Sequence, residues 1–339
     1  MAASRRHPVL ASVGALLALV SLLGCAARLL PEDMQALPYV PYVIALSPWF
    51  ALAAVVSLIC ACISHRWFTA AVAVACIVLQ GYWQLPFYRN GEPLGAQAIT
   101  AVGQSNPVTD DAFARVMTCN VYKGAADPQA IVDTVRDQHV EVLALQEATP
   151  QFVQRLEQAG IADYLPYAVS ASSGSGYGNG LWSAQPLRQP ADAEFASSAS
   201  NMPAGTIRFD NGALPVRFVS VHTTSPTPQS WDLWRKSLTE MQQLTKRTGT
   251  QYVLMGDFNA TYDHAVFRNL LGTRFQDAAR ASGHGLVFSW PVDKPWLPAF
   301  SGIDHIVTER GVVAGQVSTV RIGGSDHRAL LATLDFTRR

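Results

Sequence analysis

The N-terminal part of this 339-residue chain carries very little charge. Before Asn106 the charged residues are Arg5, Arg6, Arg28, Glu32, Asp33, Arg66, Arg89 and Glu92. Between them lie three apolar runs, roughly 9–27, 40–63 and 68–87. Each is close to the ~20 residues that a helix needs to cross a hydrocarbon layer. One such run could be a signal peptide, but the repetition predicts a membrane anchor with three transmembrane helices over residues 1–89.

The few basic residues of this segment predict its orientation. Arg5 and Arg6 precede the first run, and Arg66 lies in the short connection between the second and third runs. The longer first connection carries Glu32 and Asp33. Because Lys and Arg are enriched in cytoplasmic loops, the N-terminus is predicted to be cytoplasmic. The sequence thus predicts a multi-pass protein of the cell membrane. Three crossings place the rest of the chain on the extracytoplasmic side.

The remaining sequence predicts a linker and one large domain. Residues 90–112 are rich in Gly, Pro, Gln, Ser and Thr, a composition typical of a linker. Residues 113–339 carry many short apolar strand patterns, few helix patterns (128–138, 150–158 and 231–247) and long polar connections. These features favour an α/β sandwich with mixed sheets. At about 230 residues, the domain is long enough to bury one substantial core.

Polar residues recur at the ends of the predicted strands, where loops often carry chemistry. They are Asn120, Glu147, His222, Asp257 and Asn259 in VLMGDFNA, Asp304 in SGIDHIV, and Asp326 and His327 in GGSDHRALL. Residues i and i+2 of an extended chain point to the same side, so Asp257 and Asn259 address one point. Singly, each residue has a structural explanation, such as a turn, a helix cap or a satisfied core histidine. Their repetition predicts one shared site.

The ordered set N…QE…H…GDFNA…ID…SDH resembles the endonuclease/exonuclease/phosphatase superfamily over residues 113–336. That group includes deoxyribonuclease I-like nucleases, inositol-phosphate phosphatases and bacterial sphingomyelinases. The resemblance implies a four-layer α/β/β/α sandwich of two mixed sheets and a metal-dependent hydrolase of phosphoric esters. The chain departs from the pattern at Gly302, where a basic residue is common, and carries His305 where aromatic residues are also common.

The resemblance also implies a metal site. Glu147 would be the main ligand of a Mg²⁺ ion, with Mn²⁺ as the alternative, and Asn120 and Asp326 would complete the site. Mg²⁺ binds through one or two carboxylates and keeps several water ligands. Such a hard cation draws charge from the phosphoryl oxygens during hydrolysis.

The other residues of the set would act on the substrate, by the same resemblance. Asp257 would orient or deprotonate the attacking water, and Asn259 would hold that water or a phosphate oxygen. His327 would contact the scissile phosphate while Asp304 holds its other ring nitrogen, and His222 would be a second phosphate donor. A carboxylate paired with a histidine sets the tautomer of the ring and raises its basicity.

The substrate class is predicted from charge and anchoring. From Asn106 onward there are twenty basic and twenty-two acidic residues and no basic cluster, which argues against a nucleic acid substrate. The apolar segment 286–300, LVFSWPVDKPWLPAF, is either a packed rigid loop or a lipid-facing lip. With three predicted spans before this domain, the chain resembles actinobacterial membrane-anchored members of the superfamily. Those members are linked to glycopeptide resistance and are associated with polyprenyl pyrophosphate.

The sequence therefore predicts the lipid bilayer as a partner. Its predicted substrate is a phosphorylated lipid, such as polyprenyl pyrophosphate or a phospholipid head group, or a small phosphate ester. Two alternatives stay open. One is an extracytoplasmic nuclease or nucleotide phosphatase, and the other is a non-catalytic membrane-anchored binding module. A module that only binds has no need of Glu147, Asp257 and His327 together.

Overall fold

The computed structural model describes residues 7–89, 91–104 and 108–337. Its contacts divide the chain into two compact units. The first contains Met1–Pro86 and Asp263–Ala265, and the second contains Phe87–Tyr262 and Val266–Arg339.

The first unit is helical. Its helices are α1 (Pro8–Leu29), α2 (Glu32–Gln35), α3 (Val40–Ala45), α4 (Ser47–Ile63) and α5 (Trp67–Gln84). Two segments, Pro8–Leu29 and Trp67–Phe87, are long and apolar enough to cross a membrane. The second predicted run is instead divided at Leu46, and its longer piece, α4, has 17 residues. Pro48 in the first turn of α4 has no N–H to donate to a preceding turn, so α3 cannot continue through it. In the part of the chain that the structure describes, two helices thus have spanning length where the sequence predicted three.

Part of the segment interpreted as a linker is folded. Helix α6 (Ala96–Val102) lies within it, and Ala98 and Val102 are buried together with Phe113 at the start of the first strand. Residues four apart share one face of a helix, so a single turn of α6 suffices for this packing. Asn90 and residues 105–107 of the predicted linker lie outside the described residues.

The second unit contains two mixed β-sheets. Its strands are β1 (Phe113–Asn120), β2 (Val142–Gln146), β3 (Tyr167–Ala171), β4 (Asn179–Ser183), β5 (Ala204–Phe209), β6 (Leu214–His222), β7 (Gln251–Asp257), β8 (Phe275–Asp277), β9 (Asp304–Glu309), β10 (Val313–Arg321) and β11 (Arg328–Asp335). One sheet has the order β10-β11-β1-β2-β4-β3 and the other β5-β6-β7-β9-β8. The pairs β1/β2 and β6/β7 are parallel, and the remaining pairs are antiparallel.

Helices cover the sheets. They are α7 (Pro128–Asp137), α8 (Pro150–Gln158), α9 (Trp231–Met241), α10 (Ala265–Leu271) and α11 (Ala278–Ser282). Helix α7 begins as the sequence predicts, because Asp127 Oδ1 accepts the N–H of Gln129 at 2.9 Å and Pro128 follows the cap. The predicted helix 231–247 ends earlier as an α-helix, at Met241, and continues as a 3₁₀ turn over Gln242–Lys246.

The core lies mainly between the two sheets. Val116 of β1 and Val253 of β7 belong to one buried cluster that draws side chains from both sheets. Side chains alternate along a strand, so Met117 faces the other way and packs with residues of α7 and α8. On the second sheet, Trp234 of α9 is buried and donates its indole N–H to the carbonyl of Asn259, just past β7, at 2.9 Å. This order of helices and sheets agrees with the predicted α/β class with two mixed sheets.

Candidate active site

The strand registers bring the predicted polar residues to one end of the sandwich. In the first sheet, Asn120 pairs with Gln146, the residue before Glu147. In the second, His222 pairs with Asp257, and Asp257 pairs with Asp304. Neighbouring strands lie about 4.8 Å apart, so paired residues are close enough to interact.

Asn120 joins the two sheets at this end. Its Nδ2 donates to Glu147 Oε1 and to Asp257 Oδ2, both at 3.1 Å. The other oxygen of Glu147 accepts the backbone N–H of Lys123 at 2.8 Å. Glu147 has a φ of +59°, in the left-handed region that non-glycine residues rarely adopt. These two hydrogen bonds hold the Glu147 carboxylate in one orientation.

His327 lies between two carboxylates. Its Nδ1 is 2.8 Å from Asp304 Oδ2, and its Nε2 is 3.7 Å from Asp257 Oδ2. Burial alone would lower the pKa of His327, but the negative charges of Asp304 and Asp257 outweigh it and raise that pKa to about 10. His327 is therefore an imidazolium at neutral pH and can donate from both ring nitrogens.

Asp257 is almost fully buried, and this burial raises its pKa to about 7 although the nearby His327 charge opposes the shift. Its Oδ1 accepts the backbone N–H of Asn259 at 2.8 Å, which holds the turn after β7. A carboxyl group with a pKa near neutrality suits proton transfer at neutral pH.

Asn259 departs partly from its predicted role. One N–H of its side chain donates to the carbonyl of Thr223 at 3.0 Å, which ties the turn after β7 to the segment after β6. A primary amide has two N–H groups, so the second is the donor left for a water or a phosphate oxygen.

His222 differs from His327 in charge. Burial, together with the nearby positive charge of His327, lowers the pKa of His222 to about 4, so its ring is neutral at neutral pH. Its Nε2 is 3.8 Å from Glu147 Oε1 and 3.9 Å from Asp257 Oδ2. These distances exceed hydrogen-bond length and leave Nε2 able to meet a substrate oxygen or a bridging water.

The donor set fits a hard divalent cation. Asp326 Oδ1 is buried and has no hydrogen-bond partner among the described residues, while its Oδ2 accepts the indole N–H of Trp290 at 3.3 Å. Ser325 donates its hydroxyl to the carbonyl of Asn120 at 2.7 Å and so holds Asp326 beside the end of β1. Burial raises the pKa of Asp326, the positive charge of His327 opposes this shift, and the negative charge of Glu147 adds to it. A cation held by Glu147, Asn120 and Asp326 would relieve this excess of negative charge.

A second group of ligand-type atoms comes from Asp257, Asp304 and His327, which lie within 4.8 Å of one another. The 2.8 Å contact between His327 Nδ1 and Asp304 Oδ2 is a hydrogen bond in which the ring N–H donates to the carboxylate. This bond occupies Nδ1 and leaves only Nε2 of the ring to face the site. We assign this group to proton transfer and phosphate binding.

The site opens into a cleft of about 650 Å³. Glu147 and His222 line it, together with Lys123, Tyr177, Leu233 and several serine and threonine hydroxyl groups. A larger cavity of about 970 Å³, lined by Arg188, Arg208 and Arg217 among others, contains none of the predicted site residues.

Four residues near the site were not predicted from the sequence. Ser325 directly precedes Asp326 within the quoted motif GGSDHRALL, and Lys123 lies three positions after Asn120, so both are close in sequence to predicted residues. Trp290 and Tyr177 lie in loops, and no spacing in the sequence connects them with Asp326 or with the cleft. Their placement depends on how those loops fold back over the strand ends.

The chain was compared with known proteins. The model of the Endonuclease/Exonuclease/phosphatase family matches residues 117–327. No curated protein matches the chain. Three similar solved structures are TDP2 from D. rerio complexed with single strand DNA product (TM-score 0.53, 18% identity, covering 66% of this chain and 100% of that chain), truncated TDP2 from Caenorhabditis elegans (0.52, 16%, 67% and 99%), and a family protein from Bacteroides thetaiotaomicron (0.50, 16%, 66% and 98%). At these identities the likeness shows the fold.

Proposed function

Because the chain belongs to the endonuclease/exonuclease/phosphatase family and is a hydrolase of phosphoester bonds, we propose that its substrate is a lipid-linked phosphate. The candidates are polyprenyl pyrophosphate and a phospholipid head group. The observation that carries this choice is a set of three exposed aromatic side chains on loops next to the site. Tyr122, Tyr177 and Trp296 are 43%, 58% and 76% exposed. Aromatic side chains that are exposed in this way are favoured at membrane interfaces.

Described contacts connect the segments that carry these side chains to the site. Tyr122 donates its backbone N–H to Asn120 Oδ1 at 2.9 Å, and Tyr177 lines the cleft beside Glu147. Trp296 lies in the loop whose Val292 N–H donates to the carbonyl of Asp326 at 2.9 Å. Residues 286–292 are buried or half-buried, and residues 293–296 at the tip of the same segment are exposed. The first part is compatible with a packed rigid loop and the tip with a lipid-facing lip.

The helical unit supports a membrane anchor. Two of its segments have spanning length, and α4, with 17 residues, falls at the lower end of the ~17–25 residues that spanning helices use. In our proposal these two segments and α4 cross the bilayer. The N-terminus then lies in the cytoplasm, and the catalytic domain lies at the outer face. An anchored domain meets lipid head groups at high effective concentration.

In the proposed reaction, Asp257 accepts a proton from the attacking water as the water oxygen bonds to phosphorus, and the Asn259 side chain orients that water or a phosphate oxygen. The P–O bond to the leaving group breaks, and the leaving oxygen takes up a proton from solvent. His327, held by Asp304, donates from Nε2 to an oxygen of the scissile phosphate. Neutral His222 offers a second ring nitrogen to the same group. A Mg²⁺ or Mn²⁺ ion bound by Glu147, Asn120 and Asp326 would supply charge neutralisation.

A nuclease or nucleotide phosphatase is the second candidate, favoured by the similar D. rerio structure that contains a single strand DNA product. Lys123 is the one cationic side chain among the described residues that line the cleft. Binding of a nucleic acid backbone normally uses several Lys and Arg contacts. This charge distribution favours the lipid-linked substrate over DNA.

The substrate proposal is tested with the full-length protein in detergent micelles with Mg²⁺. Phosphate release is measured from polyprenyl pyrophosphate, phospholipids and sphingomyelin, and cleavage is measured on plasmid and single-stranded DNA. His327→Ala serves as the inactive control. We expect hydrolysis of one of the lipid substrates and little cleavage of DNA. Cleavage of DNA without hydrolysis of any lipid would establish the second candidate instead.

The exposed aromatic residues carry a separate prediction. Trp296→Ser is expected to lower kcat/KM on a lipid substrate in micelles by about tenfold, because an interfacial tryptophan contributes on the order of 1–2 kcal/mol. Hydrolysis of a soluble phosphate ester should change little. Tyr167→Ser is the matched control, since Tyr167 is also exposed but lines the larger cavity away from the site. Equal losses on soluble and lipid substrates would contradict a membrane-facing role for Trp296.

A further inference from the structure

His305 is a buried histidine next to Asp304 on β9, and the proposed reaction does not use it. Its Nδ1 is 2.7 Å from Asp277 Oδ2, and its Nε2 is 2.8 Å from the carbonyl oxygen of Ala260. A carbonyl can only accept. The other oxygen of Asp277 already accepts the N–H of Arg280 at the start of α11, at 2.9 Å, as expected of an ionised capping carboxylate. Nε2 of His305 therefore donates, and with Asp277 as a carboxylate Nδ1 donates as well.

The charge of His305 follows from these contacts. A ring that donates from both nitrogens is an imidazolium. Burial would lower the pKa of His305, but the hydrogen bond and the negative charge of Asp277 outweigh it, and the net direction is upward. The ring also stacks on Phe267 with centroids 4.2 Å apart and meets Phe258 edge-on at 5.6 Å. His305 and Asp277 thus form a buried ion pair within an aromatic environment.

The acceptor of the second hydrogen bond lies directly after the turn that carries Asp257 and Asn259. This turn requires support, because Asn259 adopts a φ of +47°. Its first part is held by the N–H of Phe258, which donates to the carbonyl of Ile303 at 2.9 Å. The carbonyl of Asn259 accepts from Trp234. At Ala260, where the turn ends, the side-chain donor is His305.

We propose that His305 is a positioning residue, which holds the turn of Asp257 and Asn259 by donating from both ring nitrogens, to Ala260 and to Asp277. Its ring is buried and does not line the cleft, so it acts through the turn and does not touch the substrate. The inference rests on the proposed role of Asp257 in hydrolysis. His305 on β9 would thereby connect Asp277, at the start of α11, with Ala260 in the turn after β7.

Two substitutions separate position from charge. His305→Phe keeps an aromatic ring that can fill the space and stack on Phe267, but it removes both donors. Asp277→Asn keeps an oxygen for the N–H of Arg280 and presents an amide N–H to Nδ1. His305 then becomes neutral and still donates from Nε2 to Ala260. His139→Gln is the matched control, because His139 interacts with Val102 away from the site.

The first measurement is the ¹⁵N spectrum, in detergent micelles, of full-length protein labelled with ¹⁵N at both histidine and asparagine. We expect one histidine, besides His327, to have both ring nitrogens protonated at neutral pH, and its signals to vanish in His305→Phe. Asp277→Asn should convert the same ring to a singly protonated form. The Asn259 side-chain amide signals should shift in His305→Phe and much less in Asp277→Asn. A singly protonated His305 in the wild type would overturn the proposal.

The second measurement is kinetic, on whichever substrate the wild type hydrolyses. His305→Phe should lower kcat by about 10- to 100-fold with little change in KM, because displacement of a catalytic group by about 1 Å has an effect of this size. Asp277→Asn should retain more activity than His305→Phe, and His139→Gln should match the wild type. A wild-type kcat in folded His305→Phe would contradict the proposal. If the wild type hydrolyses nothing, the proposed function fails, and the ¹⁵N spectra still decide the role of His305.

Discussion

An Asp257→Ala variant is expected to lower kcat by about 10²- to 10⁴-fold, the usual contribution of a positioned general base. The residue lies at the end of β7, accepts hydrogen bonds from Asn120 and Asn259, and faces His327. Phosphate release under saturating substrate measures the effect. KM should change much less than kcat, because the proton is transferred only in the transition state.

The pH profile gives this prediction a second readout. Asp257 accepts a proton only when it is ionised, so the rate should rise with pH as the carboxyl group loses its proton. Burial raises the pKa of Asp257 to about 7 in the protein alone. A bound divalent cation adds positive charge nearby, so the midpoint of this rise in rate should lie at or below that pH. The residual activity of Asp257→Ala should not show this rise.

The control for Asp257→Ala is a surface aspartate outside the site and outside segment 286–300, and Asp163→Ala serves because Asp163 is exposed. Circular dichroism establishes that both variants are folded. Near-full activity in a folded Asp257→Ala variant would show that another group takes the proton, and the assignment of roles in this site would then be wrong.

A Glu147→Gln variant is expected to lose at least about tenfold in affinity for Mg²⁺, and to need correspondingly more Mg²⁺ for half-maximal activity. Groups that only support a metal ligand already contribute about 10- to 100-fold. Glutamine keeps the shape of the side chain and an oxygen for Asn120 or Lys123, but it removes the negative charge. Mn²⁺ binding, followed by electron paramagnetic resonance, measures affinity independently of activity.

Glu157→Gln is the matched control for the metal experiment, because Glu157 is exposed on α8. Removal of divalent cations with a chelator should abolish wild-type activity, and added Mg²⁺ or Mn²⁺ should restore it. Unchanged Mn²⁺ affinity in Glu147→Gln would remove Glu147 from the metal site. The Asp257, Asp304 and His327 group would then be the remaining candidate for metal binding.

Much of the site could be predicted because its residues occur at strand ends, in a characteristic order. In the structure, each of the eight predicted residues lies at one end of the sandwich or contacts a residue that lies there. Their individual contacts could not be predicted in the same way. Asn120 and Asp257 hydrogen-bond across 137 positions of sequence, and this contact depends on the registers of both sheets at once.

The apolar N-terminal segment shows a different limit. Apolar composition predicted one unbroken second run over residues 40–63, because hydropathy averages over a window of residues and does not register a local break. The division at Leu46 depends on one proline in the first turn of α4. Similarly, linker composition did not predict α6, because the favourable burial of Ala98 and Val102 requires Phe113 as a partner.

By itself, the sequence determined the family, the α/β class, the apolar character of the N-terminal segment and the types of side chain available for catalysis. These properties reside in residue identity and order, which folding does not alter. Only the tertiary structure decided the charges and partners of those side chains. His222, His305 and His327 are chemically identical in the sequence, yet the pKa of the first is lowered and the pKa values of the other two are raised. The difference arises from burial and from which carboxylates lie within hydrogen-bond distance.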